Sequence, residues 1–168
     1  MQRILKKYGV FNMLEVNGDI WNFHAKGEWI CITTNGQVTS QGRNIMGGGT
    51  ALQAAIKYPD LPRKLGLLLT SKYDSGSHRN LPYIFSEYRI FSFPTKDKVY
   101  APSSLGLIEK SAKNLVIFID RMSYDYIPRV YLPRPGCGLG ELQWEDVRPV
   151  LVKHFDDRFI IVNWNIIY

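Results

Sequence analysis

Short apolar runs rich in branched and aromatic residues alternate along this chain with segments of helical period, and that alternation constrains the fold more than any other feature. The runs Asn12 to Val16, Trp29 to Thr34, Leu65 to Thr70, Tyr88 to Phe93, Arg129 to Pro133 and Phe159 to Asn163 have the length and content of strands. Between them, Leu105, Ile108, Ala112, Leu115, Ile119 and Met122 recur at steps of three and four, which predicts a helix over Ser104 to Met122 with one apolar face. Ser103 or Ser104 offers its first turn a capping hydroxyl. A second helix is predicted from Thr50 to near Tyr58, stopped by Pro59, and a third from Gln143 to near Phe155 with Val147, Val150 and Leu151 turned inward. Strands separated by helices predict an α/β fold of three layers, α/β/α, around a central mixed and mostly parallel sheet of about six strands.

A chain of 168 residues fits one domain, taken as residues 1–168. No apolar run approaches the ~18 residues of a membrane-spanning helix, and the start MQRILKKYGVFNM lacks a signal-peptide core, so a cytoplasmic, membrane-free monomer is expected. Cys31 and Cys137 form neither a metal spacing nor a disulfide framework, and His24, His78 and His154 form no cluster, so neither metal nor cofactor is expected. Tyr124, Tyr126 and Tyr131 flank Pro128 and read as core aromatics. Twenty-one Lys and Arg against 15 Asp and Glu give a formal charge of +6, compatible with phosphorylated ligands and with nucleic-acid contact. The basic residues are dispersed rather than gathered into an arm, so charge alone does not define a nucleic-acid-binding protein.

Ligands of open α/β sheets bind beyond the carboxyl ends of the strands, where loops enter helices. Two glycine-rich loops stand there: GRNIMGGG, Gly42 to Gly49, and RPGCGLG, Arg134 to Gly140. Glycine admits an anion close to the backbone, and a following helix offers unpaired amide groups and its positive dipole end. Each loop is a candidate phosphate cradle, and two of them favour a diphosphate. A Walker loop is excluded because no Gly-Lys pair occurs in the chain. The dinucleotide fingerprint also fails, since Leu52 stands where its third small residue belongs.

In order, the segments EVNGDI (15–20), ITTNG (32–36), IMGGGTALQAA (45–55), FPTK (93–96) and PRPGCGLGELQWEDV (133–147) resemble the macro domain family across nearly the whole chain. The last segment is similar to its ADP-ribosyl glycohydrolase branch, whose members act on modified protein or DNA. GGGTALQAAIKYP also resembles a family member that removes phosphate from ADP-ribose 1″-phosphate. The resemblance implies an ADP-ribose ligand. Residue by residue, it implies that Asp19, with Ile20 beside it, meets the adenine amino group, although an Asp after Asn-Gly also serves as a cap. Asn35 would lie near the distal ribose, with Gln37 to Asn44 standing as an insertion before the glycine run. Met46, Gly47, Gly48, Gly49 and Thr50 would hold one side of the diphosphate. Pro133 and the stretch Gly136, Cys137, Gly138, Leu139, Gly140, Glu141 and Leu142 would hold the other side and the distal ribose. Asn163 or Trp164 would stack on adenine, with Trp164 the better stacker.

Lys96 is the chemical candidate, because in that branch the corresponding lysine attacks C1″ of the opened distal ribose. The protein-directed members place an aspartate immediately after GCGL, where this chain has Gly140, which points to a lysine-led mechanism. The expected function is release of ADP-ribose from a modified nucleic acid or protein. A non-catalytic ADP-ribose-binding module and the 1″-phosphatase activity stand as alternatives.

Overall fold

The computed structural model describes residues 12–71, 80–122 and 129–164; His78, Tyr124 and Tyr126 lie outside them. In chain order the elements are β1 (Leu14–Asn17), α1 (Ile20–Ala25), β2 (Trp29–Asn35), α2 (Gly49–Lys57), α3 (Leu61–Thr70), β3 (Ile84–Phe85), β4 (Ile90–Lys96), α4 (Leu105–Asp120), β5 (Val130–Pro133), α5 (Trp144–Val152) and β6 (Phe159–Asn163). The strands form one sheet in the order β1-β6-β5-β2-β4-β3, parallel throughout except that β3 runs antiparallel to β4. The expected mixed, mostly parallel α/β sandwich is the architecture found.

Side chains on a strand point alternately to its two faces, and here both alternating sets are apolar. Trp29, Cys31, Phe91, Phe93, Val130, Leu132, Phe159 and Ile161 bury against Ile108, Ala112, Leu115 and Ile119 of α4 and Val147 and Leu151 of α5. Ile30, Ile32, Ile90, Tyr131, Ile160 and Val162 face the other way, onto Ile20 of α1, Ala51 and Ala54 of α2, and Leu61 and Leu65 of α3. Continuous runs such as WICIT and FIIV are therefore the mark of a sheet covered on both faces, which makes the third layer necessary. Ser104 caps α4, its Oγ accepting from the Leu107 amide at 3.3 Å. Tyr131 is core, stacked on Phe23 at 4.4 Å between ring centroids. Among the described residues, no helix is long and apolar enough to cross a membrane.

One strand expectation is overturned. The run Leu65 to Thr70 belongs to helix α3, which begins with Pro62 in its first turn, where a missing N–H costs nothing. Leu61, Pro62, Leu65 and Gly66 are its buried residues, at helical rather than alternate spacing, while Leu67 is exposed. A six-residue apolar run cannot separate the two periods, and the deciding residues lay upstream of it. The sixth strand is instead the two-residue edge β3, too short to carry a pattern.

Candidate functional site

Four parallel strands, β2, β4, β5 and β6, end side by side at Asn35, Lys96, Pro133 and Asn163, and all four residues line one cleft of about 860 Å³. A bulge shapes its floor: β2 pairs Thr34 with Pro94 but Asn35 with Lys96, so β4 carries Thr95 as an extra residue at its end. Such an irregularity re-aims the side chains that follow it. Lys96 emerges half-buried in the cleft, its Nζ donating to the Val99 carbonyl at 3.1 Å. Its own carbonyl accepts from Gly36 N at 3.2 Å and Asn80 Nδ2 at 3.1 Å.

The first glycine loop is built on three asparagine side-chain bonds. Asn35 Nδ2 donates to Ile45 O at 2.8 Å, and Asn44 Nδ2 donates to Asn35 O at 2.9 Å and Gln37 O at 3.0 Å. The inserted residues between them close a turn through Thr39 and Arg43, and Asn44 N donates to Pro62 O of α3 at 2.8 Å. A Cβ on Gly66 would collide with the Gly42 carbonyl, so that glycine lets the insertion lie directly on the helix. Gly49 opens α2 at φ +54, a left-handed conformation that suits glycine. No side chain caps α2, so the amide groups of its first turn are presented to the cleft. Thr50 ties this helix start to β2, its Oγ1 accepting from Thr33 N at 3.3 Å.

The second loop faces the first across the cleft, and the two meet: a Cβ on Gly48 would run into Leu139 Cδ1. The loop folds on itself through Leu142 N to Gly136 O at 2.9 Å and is fixed to the start of α4 by Ser103 N to Gly140 O at 3.0 Å. Gly140 has no room for a side chain, because a Cβ there would collide with Ser103 Oγ and with the carbonyl and Cα of Gly136. An aspartate at this position is therefore excluded by the loop's own packing. Arg134 lies over the Trp144 ring at 4.9 Å on the same wall. Burial pushes the Cys137 thiol up, which keeps it protonated at neutral pH.

Of the residues singled out in the sequence, Lys96, Asn35, Gly47, Gly48, Gly49, Thr50, Pro133, Gly136, Cys137, Gly138, Leu139, Gly140, Leu142, Asn163 and Trp164 all line the cleft. Asn163 ends β6 with its amide donating to Asn17 Oδ1 at 3.2 Å, whereas Trp164 is 59% exposed at the rim. Asn35 spends its amide on the loop rather than on the cleft. Four residues are not on the wall. Ile20 and Met46 are buried in the core layer beneath it, and Glu141 turns outward at φ +67. Asp19 caps α1, its Oδ1 accepting from Trp21 N at 2.9 Å, just past the end of β1 and next to β6. Thr95, Val99, Ser103 and Arg134 join the cleft without having been singled out for it. Arg134 opens the second loop and was legible as a cation beside a phosphate cradle; the others arrive through a bulge and a turn that no residue pattern announces.

A layered sheet with two glycine loops closing a cleft over its carboxyl edge is a macrodomain fold, shared with the solved structures it superposes on. No model of a protein family matches it. It is 30% identical over 125 residues to the DNA ADP-ribosyl glycohydrolase of Mycobacterium bovis, an alignment covering 66% of this chain and 32% of that protein. The chain thus spans about a third of the length of the curated relatives it matches. The macrodomain of Mycobacterium tuberculosis DarG superposes with a TM-score of 0.62 at 26% identity, covering 91% of this chain and 97% of that one. The macrodomain of Thermus aquaticus DarG gives the same TM-score and coverage at 25% identity.

Proposed function

We propose that this chain binds ADP-ribose in the cleft and hydrolyses the bond joining it to a modified macromolecule, with Lys96 as the acting group. The observation that carries the reading is that Lys96 ends β4 in the same cleft that both glycine loops line. The diphosphate lies between the amide groups of the two loops, with the α2 dipole and Arg134 offsetting its charge. Trp164 offers its ring to the adenine, and the Asp19 oxygen not used in the cap accepts from the adenine amino group. The distal ribose then falls on the Lys96 side. There the amine lone pair adds at C1″ of the opened ribose, the atom of the macromolecule leaves with a proton, and water hydrolyses the resulting imine to return the lysine and free ADP-ribose. DNA is the modified partner favoured by the name of the Mycobacterium bovis relative and by the net charge of +6. Nothing in this scheme needs a second copy of the chain, which supports a monomer.

The test is incubation with an ADP-ribosylated oligonucleotide and an ADP-ribosylated protein. Wild type is expected to release ADP-ribose from the oligonucleotide and Lys96→Ala to release none; equal release by both would refute the lysine mechanism. A second reading, a module that binds ADP-ribose without turnover, is favoured by the bare Gly140, which leaves no carboxylate beside the distal ribose. It predicts saturable binding in calorimetry with no product from either substrate.

A further inference from the structure

A lysine amine on a four-carbon stem reaches many positions, and attack at one carbon requires that it be held at one of them. We infer that Gln37, in the segment 37–44 that interrupts the family pattern, is the positioning residue for the Lys96 amine; the inference rests on the reading of Lys96 as the acting group.

Val99 is the link between them. Its carbonyl accepts from Lys96 Nζ at 3.1 Å, and its N–H donates to Gln37 Oε1 at 3.1 Å, so one residue, through the peptide units on either side of its Cα, connects the two side chains. Asp97 to Tyr100, which contains Val99, is exposed and outside any helix or strand. Gln37, by contrast, is anchored on both sides of its own Cα. Its N–H donates to Asn35 Oδ1 at 2.9 Å, and its carbonyl accepts from Asn44 Nδ2 at 3.0 Å and Ile45 N at 3.2 Å. The direction of control is therefore from the pinned residue to the exposed one. Gly36, immediately before Gln37, donates to the Lys96 carbonyl, so the same short segment fixes both the backbone and the amine of Lys96. Without the Gln37 acceptor, the Val99 amide loses its side-chain partner, and the carbonyl that places the amine is held only through the Asp97 bonds to Gly36 and Asn80 and the turn from Lys98 to Ala101.

The full chain is tested in two variants: Gln37→Met, of similar length without an acceptor, and Gln37→Glu, which keeps one. The substrate is an ADP-ribosylated oligonucleotide, with ADP-ribose affinity by calorimetry and Tm measured alongside. Gln37→Met should lower kcat about fivefold, the worth of one lost orienting hydrogen bond, with KM and ADP-ribose affinity unchanged and Tm lowered by no more than about 3 °C. Gln37→Glu should recover most of the plateau kcat, with the acidic limb of the pH profile moved upward, because the added carboxylate favours the ammonium form and the free amine is the nucleophile. An unchanged kcat in Gln37→Met, a matching loss of ADP-ribose affinity, a Tm loss well beyond about 3 °C, or a Gln37→Glu variant as slow as Gln37→Met overturns the inference. Inactive wild type overturns the hydrolase reading, and active Lys96→Ala overturns the lysine mechanism; either outcome takes this inference with it. Active wild type, inactive Lys96→Ala and unaltered Gln37→Met overturn this inference alone.

Discussion

Placing one methyl group at Gly140 tests whether the second loop excludes a side chain there. In the folded chain a Cβ at 140 would collide with Ser103 Oγ, the Gly136 carbonyl and Gly136 Cα. The Gly140 carbonyl also accepts from Ser103 N at 3.0 Å, so the loop cannot retreat without breaking its tie to the start of α4. Overpacking of this kind costs about 1 to 3 kcal/mol. At roughly 3 °C per kcal/mol for a chain of this size, Gly140→Ala should lower Tm by about 3 to 9 °C. Ser103 Oγ is buried without a partner among the described residues, so Ser103→Ala alone should leave Tm unchanged or slightly raised. In the double variant the hydroxyl collision is gone while the Gly136 collision remains, so its Tm should fall between those of Gly140→Ala and wild type. Thermal unfolding followed by circular dichroism reads all four proteins. A Gly140→Ala protein within about 1 °C of wild type, or a double variant no better than the single one, would show that the loop accommodates a side chain after all.

Two further variants separate binding from folding. Asp19→Ala removes the cap of α1 and should cost about 1 kcal/mol, whereas Asp19→Asn keeps the cap and should hold Tm while weakening ADP-ribose binding about tenfold; unchanged calorimetry for Asp19→Asn would remove the adenine contact from the scheme. His24 is buried beneath Tyr58 and Trp21, with Nε2 donating to Tyr88 O at 2.7 Å, and burial lowers its pKa below the usual 6.5, with Arg89 and Lys57 acting in the same direction and the Tyr88 bond opposing. The unfolded chain then takes up a proton near pH 6.5 that the folded chain refuses, so the stability due to neutral His24 is present above that pH and is lost as pH falls through the lowered value. Urea midpoints at pH 7.5 and 5.5 should therefore diverge more in wild type than in His24→Gln, and equal divergence would acquit His24.

Most of the site was legible because its chemistry sits where strands end. Lys96, Asn163 and the two glycine loops follow runs whose strand character was plain, and an open parallel sheet gathers such ends on one edge. What remained illegible depended on contacts between distant segments. Asp19 carries one carboxylate that serves both as a cap and as a candidate ligand group, and only geometry shows that one oxygen is committed. Gln37 lies in an insertion with no pattern of its own, ordered by side-chain bonds from Asn35 and Asn44. Leu65 to Thr70 was misassigned because a six-residue segment with four leucines satisfies either period, and Pro62 with the buried Leu61 settles it only when α3 is packed on the sheet.

By itself, then, the sequence determined the layers and the strand edge that holds the cleft, since continuous apolar runs in strands must be covered on both faces and glycines before helices admit anions. Tertiary structure decided how the cleft is lined. Gly48 is bare because Leu139 crosses it, Gly140 because Ser103 and Gly136 fill its space, and Lys96 points where a bulge at Thr95 and the carbonyl of Val99 send it. The Leu139 and Ser103 contacts are close approaches between residues far apart in the chain, and the bulge and turn around Lys96 follow no residue pattern, so neither leaves a periodic trace in the sequence.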